Sequence, residues 1–325
     1  MVVFAYLKLI RTPVLLMIAG LQYGIRFFVI EPMIEISGYE LAMSNIEFGY
    51  LVLSTLLITA GGFTINDYFD AKIDRINKPK KVVVDRIIKR RVAMALHVLL
   101  SSLGIALAAY LCYNLGMWRM TSVFLFAVFV LWFYSTNLKH QFLIGNVTMA
   151  ILAGSVTLIV GLFEIPLLNG MYPESVENYG FSIFNVPAYW IIGYSLLIGL
   201  FALTREITKD IIDIRGDKLH GCNTLPISLG VANTKSIIIA LYLAILAGLT
   251  WTYLKFIDVH SWQLGVIFFL ILISTAIQPV LIYRARIKND FYNSSRINSL
   301  SITLILISMY FLRLSILSYF ADGAY

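Results

Sequence analysis

The chain is poor in the residues that build soluble or cross-linked proteins. Asp, Glu, Lys and Arg make up only 13% of its 325 residues, against 59% in the hydrophobic set, whereas charged residues are about a quarter of an ordinary soluble domain. Two cysteines, Cys112 and Cys222, are too few for a disulfide framework or a metal-thiolate centre. The four histidines, His97, His140, His220 and His260, share no metal-ligand spacing. No polar linker divides the chain, so a single domain over residues 1–325 is expected.

What is abundant is long apolar sequence. Blocks near 13–31, 47–66, 92–113, 120–137, 142–163, 187–205, 236–254, 263–283 and 299–319 approach or exceed the roughly 20 residues that cross a hydrocarbon core, and they lack the polar stripes of soluble amphipathic helices. The expectation is an all-α integral membrane protein of nine transmembrane helices. The first block, behind Lys8 and Arg11, reads as an uncleaved span because no small-residue cleavage site follows it.

Charge orients these spans. With the amino end inside, all but Arg26, Arg119, Lys255 and Arg313 of the 25 basic residues fall on the inner side, which is the positive-inside pattern. The carboxyl end is then external. This distribution accounts for the net charge of +7 without nucleic acid, and no obligate protein partner is expected. The stretch Glu164–Val186, acidic and holding Pro166 and Pro173, reads as an external loop. Arg26, inside the first block, reads as a side chain that snorkels to the outer interface. Pro79 should stop the preceding helix by about Lys78.

The second block runs into Asn66-Asp67-Tyr68-Phe69-Asp70-Ala71-Lys72-Ile73-Asp74-Arg75. On a helix, with Asp67 at zero, Asp70 and Asp74 fall near about 300° and 340°, so three carboxylates crowd one face. Asp210, Asp213 and Asp217 repeat that spacing at the end of the sixth block, on the same expected side, with Glu206 one turn earlier. Such crowding needs a hard cation, bases or solvent to offset it. Solvated loops balanced by neighbouring lysines are the plain alternative, but the matched positions of two clusters argue against chance. Facing acidic helices can hold Mg²⁺ ions that bridge a diphosphate.

These two motifs, in a nine-span chain, resemble the UbiA-type intramembrane prenyltransferases. Asn66-Asp67-x-x-Asp70 continuing to Ile73-Asp74-Arg75-Ile76-Asn77-Lys78-Pro79, with Arg205-Glu206-Ile207-x-Lys209-Asp210-Ile211-x-Asp213-x-x-Gly216-Asp217 and Thr224-Leu225-Pro226-Ile227, is most similar to the digeranylgeranylglyceryl phosphate synthase branch. Lys80-Lys81-Val82-Val83-Val84-Asp85-Arg86 departs from the arginine-proline and proline-serine-glycine turn usual there. The resemblance implies a helical bundle around a lateral, lipid-accessible cavity in a prokaryotic cytoplasmic membrane. It also implies Mg²⁺, a polyprenyl diphosphate donor such as geranylgeranyl diphosphate, and a lipophilic acceptor such as geranylgeranylglyceryl phosphate. The product would be an ether lipid on the way to phospholipids.

In that reading Asp67, Asp70, Asp74, Asp210, Asp213 and Asp217 are the metal set, and Asp67, Asp70, Asp210, Asp213 and Lys139 the catalytic set. Donor contacts fall to Asn66, Arg75, Tyr134, Lys139, Arg205 and Lys209, the Tyr134–Lys139 segment being implied by the resemblance. Arginine suits bidentate phosphate binding and lysine acts as a point charge. Asn66 has three open roles: metal ligand, diphosphate donor or helix cap. Two other functions stay open: prenylation of an aromatic quinone precursor, and cation transport. Transport needs polar groups along several spans, whereas the acidic groups here gather at one face.

Overall fold

The structure is a computed structural model and describes residues 2–79, 82–174, 182–256 and 262–321. Among the described residues it is all-α, with nine helices long and apolar enough to cross a membrane. After a short first helix, α1 (Val2–Leu9), these are α2 (Thr12–Glu35), α3 (Asn45–Asn77), α4 (Arg90–Asn114), α5 (Trp118–Thr136), α6 (Ile144–Met171), α7 (Asn185–Leu219), α8 (Gly230–Phe256), α9 (Trp262–Arg284) and α10 (beginning at Lys288). Each apolar block has its helix.

Three helices, α3, α7 and α10, are much longer than a membrane requires. The 33 residues of α3 and 35 of α7 correspond to about 50 Å at 1.5 Å per residue, against a hydrocarbon thickness of about 30 Å. In these two the surplus carries the aspartate motifs. At the start of α3 the Ser44 hydroxyl accepts from the Glu47 N–H, and the Glu47 carboxylate accepts from the Ser44 N–H, a reciprocal cap. At its end Lys78 leaves helical geometry at φ −143°, immediately before Pro79, as the proline requires.

Contacts divide the chain into two compact units. The first comprises 1–19, 44–148 and 213–228. Here α3 packs closely on α4, where His97 Nδ1 lies 2.9 Å from the Gly61 carbonyl. The segment after Pro79 has a use here: Val83, Val84 and Ile88 are buried with Ala5 and Leu9 of α1, Ala71 of α3 and Ala93 of α4. The buried side of the first helix, Ala5 and Leu9, thus covers an apolar knot beside the first motif. Asp85 turns the chain with φ +69°, a conformation that short polar side chains tolerate best after glycine. Lys80 and Lys81, where that segment begins, lie outside the described residues.

The second unit comprises 20–43, 149–212 and 229–325. Its apolar helices are joined by buried polar groups. The Asn298 amide donates to the Phe201 carbonyl, the Thr204 hydroxyl and the Tyr242 hydroxyl at 3.1, 2.9 and 2.7 Å. Gln278 and Ser294 exchange hydrogen bonds between α9 and α10.

Two expectations fail in this unit. Arg26 does not snorkel: its side chain is 1% exposed, sits in a π-helical stretch of α2 (Ile25–Ile30), and donates to the Met43 carbonyl. Glu164 is not in a loop. It lies within α6, fully buried, and its Oε1 accepts from the Ala42 and Met43 N–H groups at 2.6 and 3.1 Å. The connection that leads into α3 needs acceptors for its buried N–H groups, and Glu164 supplies one to two of them. The acid and base thereby keep each other's charge inside the fold. Pro166 lies within the same helix. Glu177 lies outside the described residues.

Candidate functional site

The acidic face of α3 is met by basic groups from two other places in the first unit. Arg11, between α1 and α2, donates to Asp67 Oδ1 at 2.9 Å and stacks its guanidinium 4.6 Å from the centre of the Phe63 ring. Arg11 holds φ +55°, uncommon outside glycine, asparagine and aspartate. Lys139 donates to Asp70 Oδ1 at 2.6 Å, with only 8% of the lysine side chain and 18% of the aspartate exposed. The other Asp70 oxygen accepts from the Asn66 amide at 3.0 Å. Both oxygens are therefore engaged, and the Asn66 amide is spent on the carboxylate one turn ahead.

Lys139 stands on a single tight turn, Leu138–His140, after α5. Gly145 allows that turn to lie against the start of α6, for a Cβ there would meet the Leu138 carbonyl oxygen at 2.7 Å and the Lys139 Cα at 2.8 Å. The Asn223 N–H donates to the His140 carbonyl at 2.8 Å, so the segment after the second motif is tied to the turn that carries Lys139. Burial first, and then the adjacent Lys139 ammonium, pull His140 below the ordinary histidine range.

The tail of the first motif reaches the second. Lys78 Nζ is 2.5 Å from Asp213 Oδ2. Asn77, buried, accepts from the Gly216 N–H at 2.9 Å and donates to Asp217 Oδ1 at 3.3 Å. Any Cβ at position 216 would lie 2.5 Å from the Asn77 amide, so the approach requires glycine. Asp213 is itself buried, and its Oδ1 has no hydrogen-bond partner among the described residues.

Other expected site residues fall elsewhere. Arg75 pairs with Asp85 at 3.0 Å on the exposed surface, its side chain 55% exposed, turned to the segment after Pro79 and away from Asp70. Tyr134 is buried near the end of α5. Asp74 is half-buried on α3. Asp210, Arg205 and Lys209 belong to the second unit: Asp210 is half-buried, Arg205 exposed, and Lys209 pairs with Glu206 of its own helix at 3.1 Å. His260 lies outside the described residues. Arg11, Asn77 and Lys78 were given no role by the sequence, although Asn77-Lys78-Pro79 closes the first motif and was its only local signal.

Among the described residues no three His, Cys, Asp or Glu side chains are gathered closely enough to hold one metal ion. The donor chemistry nonetheless fits a hard cation: the acids of both motifs offer carboxylate oxygens, the ligands such a cation takes, and Asp213 keeps an orphaned buried oxygen. Residues 40–311 match the UbiA prenyltransferase family. The chain belongs to that family. It is 32% identical over 248 residues to digeranylgeranylglyceryl phosphate synthase of Methanosarcina mazei, covering 75% of each chain. Against the synthase of Methanoregula boonei it is 31% identical over 218 residues, 65% of this chain and 68% of that one.

Solved structures of UbiA proteins share the fold. One, described as giving structural and mechanistic insights into the biosynthesis of digeranylgeranylglyceryl phosphate synthase in membranes, has a TM-score of 0.62 at 22% identity and covers 97% of this chain and 99% of its own. A UbiA homolog from Archaeoglobus fulgidus, bound to DMAPP and Mg²⁺, has a TM-score of 0.58 at 17% identity, covering 94% of this chain and 98% of that one. The nine-helix architecture is therefore that of the UbiA family.

Proposed function

We propose that this protein transfers a geranylgeranyl group from its diphosphate to the free hydroxyl of geranylgeranylglyceryl phosphate, forming an ether lipid in a prokaryotic membrane. The observation that carries the reading is the paired arrangement of acid and ammonium: Lys139 on Asp70 and Lys78 on Asp213, in two motifs linked by Asn77. A diphosphate needs cationic groups, and the acids beside them need a hard cation to accept it. The synthase relatives from two methanogens support the glyceryl phosphate acceptor. The Archaeoglobus homolog bound to DMAPP and Mg²⁺ supports the donor class and the ion.

Mg²⁺ held by Asp67, Asp70 and Asp74 and by Asp210, Asp213 and Asp217 would neutralise the diphosphate leaving group. The chain's own residues do the rest. Lys139, on its rigid turn, places an ammonium beside Asp70 for the diphosphate oxygens. Asn66 fixes the Asp70 rotamer. As the C1–O bond to diphosphate breaks and the acceptor oxygen bonds to C1, the hydroxyl proton leaves late, to a carboxylate that is not then bound to metal. The excess of basic residues at the inner loops supports a cytoplasmic location for both motifs.

The test is direct. Purified protein is incubated with geranylgeranyl diphosphate and either geranylgeranylglyceryl phosphate or an aromatic quinone precursor, with Mg²⁺ or with a chelator, and products are weighed by mass spectrometry. A Mg²⁺-dependent ether lipid is expected from the glyceryl phosphate alone. A prenylated ring would move the assignment to the aromatic acceptor, and cation flux in proteoliposomes without donor would move it to transport.

A further inference from the structure

We propose that Lys78 is a tethered counter-ion of the second motif: its ammonium holds Asp213 in the donor-free protein and must be exchanged for the divalent cation that Asp213 takes up. This rests on the Mg²⁺ reading above. The geometry has three parts. The Lys78–Asp213 pair is short and largely buried, with 18% and 9% of the two side chains exposed, so solvent screens it weakly. The pair serves only one oxygen of the carboxylate, since Asp213 Oδ1 is buried without a hydrogen-bond partner. An ammonium is a single-point charge that offers donors and no acceptor, so a cation at Asp213 and Lys78 on the same carboxylate repel each other.

The third part is the anchor. Asn77 grips Gly216 and Asp217 through its own amide, independently of the lysine. The Lys78 side chain can therefore leave Asp213 while the backbone that carries it stays docked on α7. Side-chain exchange at a fixed backbone is cheap in conformational terms, because four rotatable bonds suffice. Lys78 is thus a positioning residue, acting through Asp213.

The test measures Mn²⁺ binding to the donor-free, full-length protein in detergent, by the electron paramagnetic resonance signal of free Mn²⁺. K78Q should bind Mn²⁺ roughly tenfold more tightly than wild type, the order of coupling usual between exclusive ligands, whereas K78R, which keeps the counter-charge, should bind like wild type. Equal or weaker binding by a K78Q protein that melts like wild type would overturn the proposal. Should K78Q fail to fold, wild type answers alone: Mg²⁺ should speed the acylation of Lys78 by a trace reagent, read by mass spectrometry, and an unchanged rate overturns the exchange. Wild type that binds Mn²⁺ while Lys78 shows no competition leaves the prenyltransferase reading standing. Wild type that binds no divalent cation at all removes the Mg²⁺ reading and this one with it.

Discussion

Two sets of buried acid–base neighbours in this molecule have the same ingredients and opposite constructions. In the second unit Arg26 and Glu164 are 1% and 0% exposed, 4.0 Å apart, and each is bound to backbone: Glu164 to two N–H groups, Arg26 to a carbonyl. In the first unit Lys139–Asp70 and Lys78–Asp213 join side chain to side chain at 2.6 and 2.5 Å, with 8–18% of each side chain exposed. A charge bound to backbone cannot leave without unmaking the fold. A charge bound only to another side chain can be exchanged for a ligand. The difference separates a structural staple from a site.

The sharpest break of this comparison is at Glu164. E164A removes the acceptor of two N–H groups, that of Met43 buried, and the acid facing Arg26, a loss of about 3–5 kcal/mol by the usual cost of breaking a buried pair. It should lower the melting temperature in detergent strongly. A wild-type melt for E164A would erase the distinction. At the exchangeable pairs the effect should go to activity: D70N and D213N, each nearly isosteric, should lose roughly 100-fold or more in kcat, as when transition-state electrostatics are removed, with melting close to wild type. If both variants unfold as E164A does, the pairs are staples too.

K139M comes next. A charged hydrogen bond of about 1.5–3 kcal/mol corresponds to roughly a 10–100-fold rise in the donor KM, with K139R recovering part of it. Unchanged KM would take Lys139 out of donor binding. Smaller again is the motif-to-motif contact. G216A places a Cβ 2.5 Å from the Asn77 amide and should cost about 1–3 kcal/mol as overpacking does. N77A removes the obstacle, so the double variant should be less destabilised than the sum of the singles. Strict additivity in thermal melts would show that Asn77 and Gly216 are not coupled.

The ease of reading these features from sequence follows their physics. Nine spans were visible because lipid demands about twenty apolar residues at each crossing, and the extent of α3 because Pro79 cannot follow in a helix. The aspartate spacing was visible because helical period is local. The partners of those aspartates were not. Arg11 reaches Asp67 across 56 positions and Lys78 reaches Asp213 across 135, and nothing periodic links them. Arg26 and Glu164 misled for a related reason: a charge inside an apolar block, or just past its end, reads as bound for the interface or a loop until a partner 138 positions away is seen to meet it. The valines after Lys81 looked like a departure in the site, whereas Val83 and Val84 are buried in the apolar knot under α1.

The smallest effect concerns pH at the turn that carries Lys139. His140 titrates below the ordinary histidine value because it is buried and because Lys139 adjoins it, the Asp70 carboxylate offsetting only part of this. The unfolded chain therefore binds the proton more readily than the folded one, so ν_U exceeds ν_N and stability rises with pH across that interval. His140 contributes its full share above about pH 6.5, the unfolded value, and loses it as acid carries the protein down through the depressed folded value. H140N should leave the melting temperature at pH 7.5 nearly unchanged and flatten its fall below about pH 6.5, relative to wild type. The Arg26–Glu164 staple carries no histidine, so an E164A background should keep the His140-dependent slope at its lower melting temperature. A slope that vanished with E164A would mean that acid acts on the staple and not on the turn.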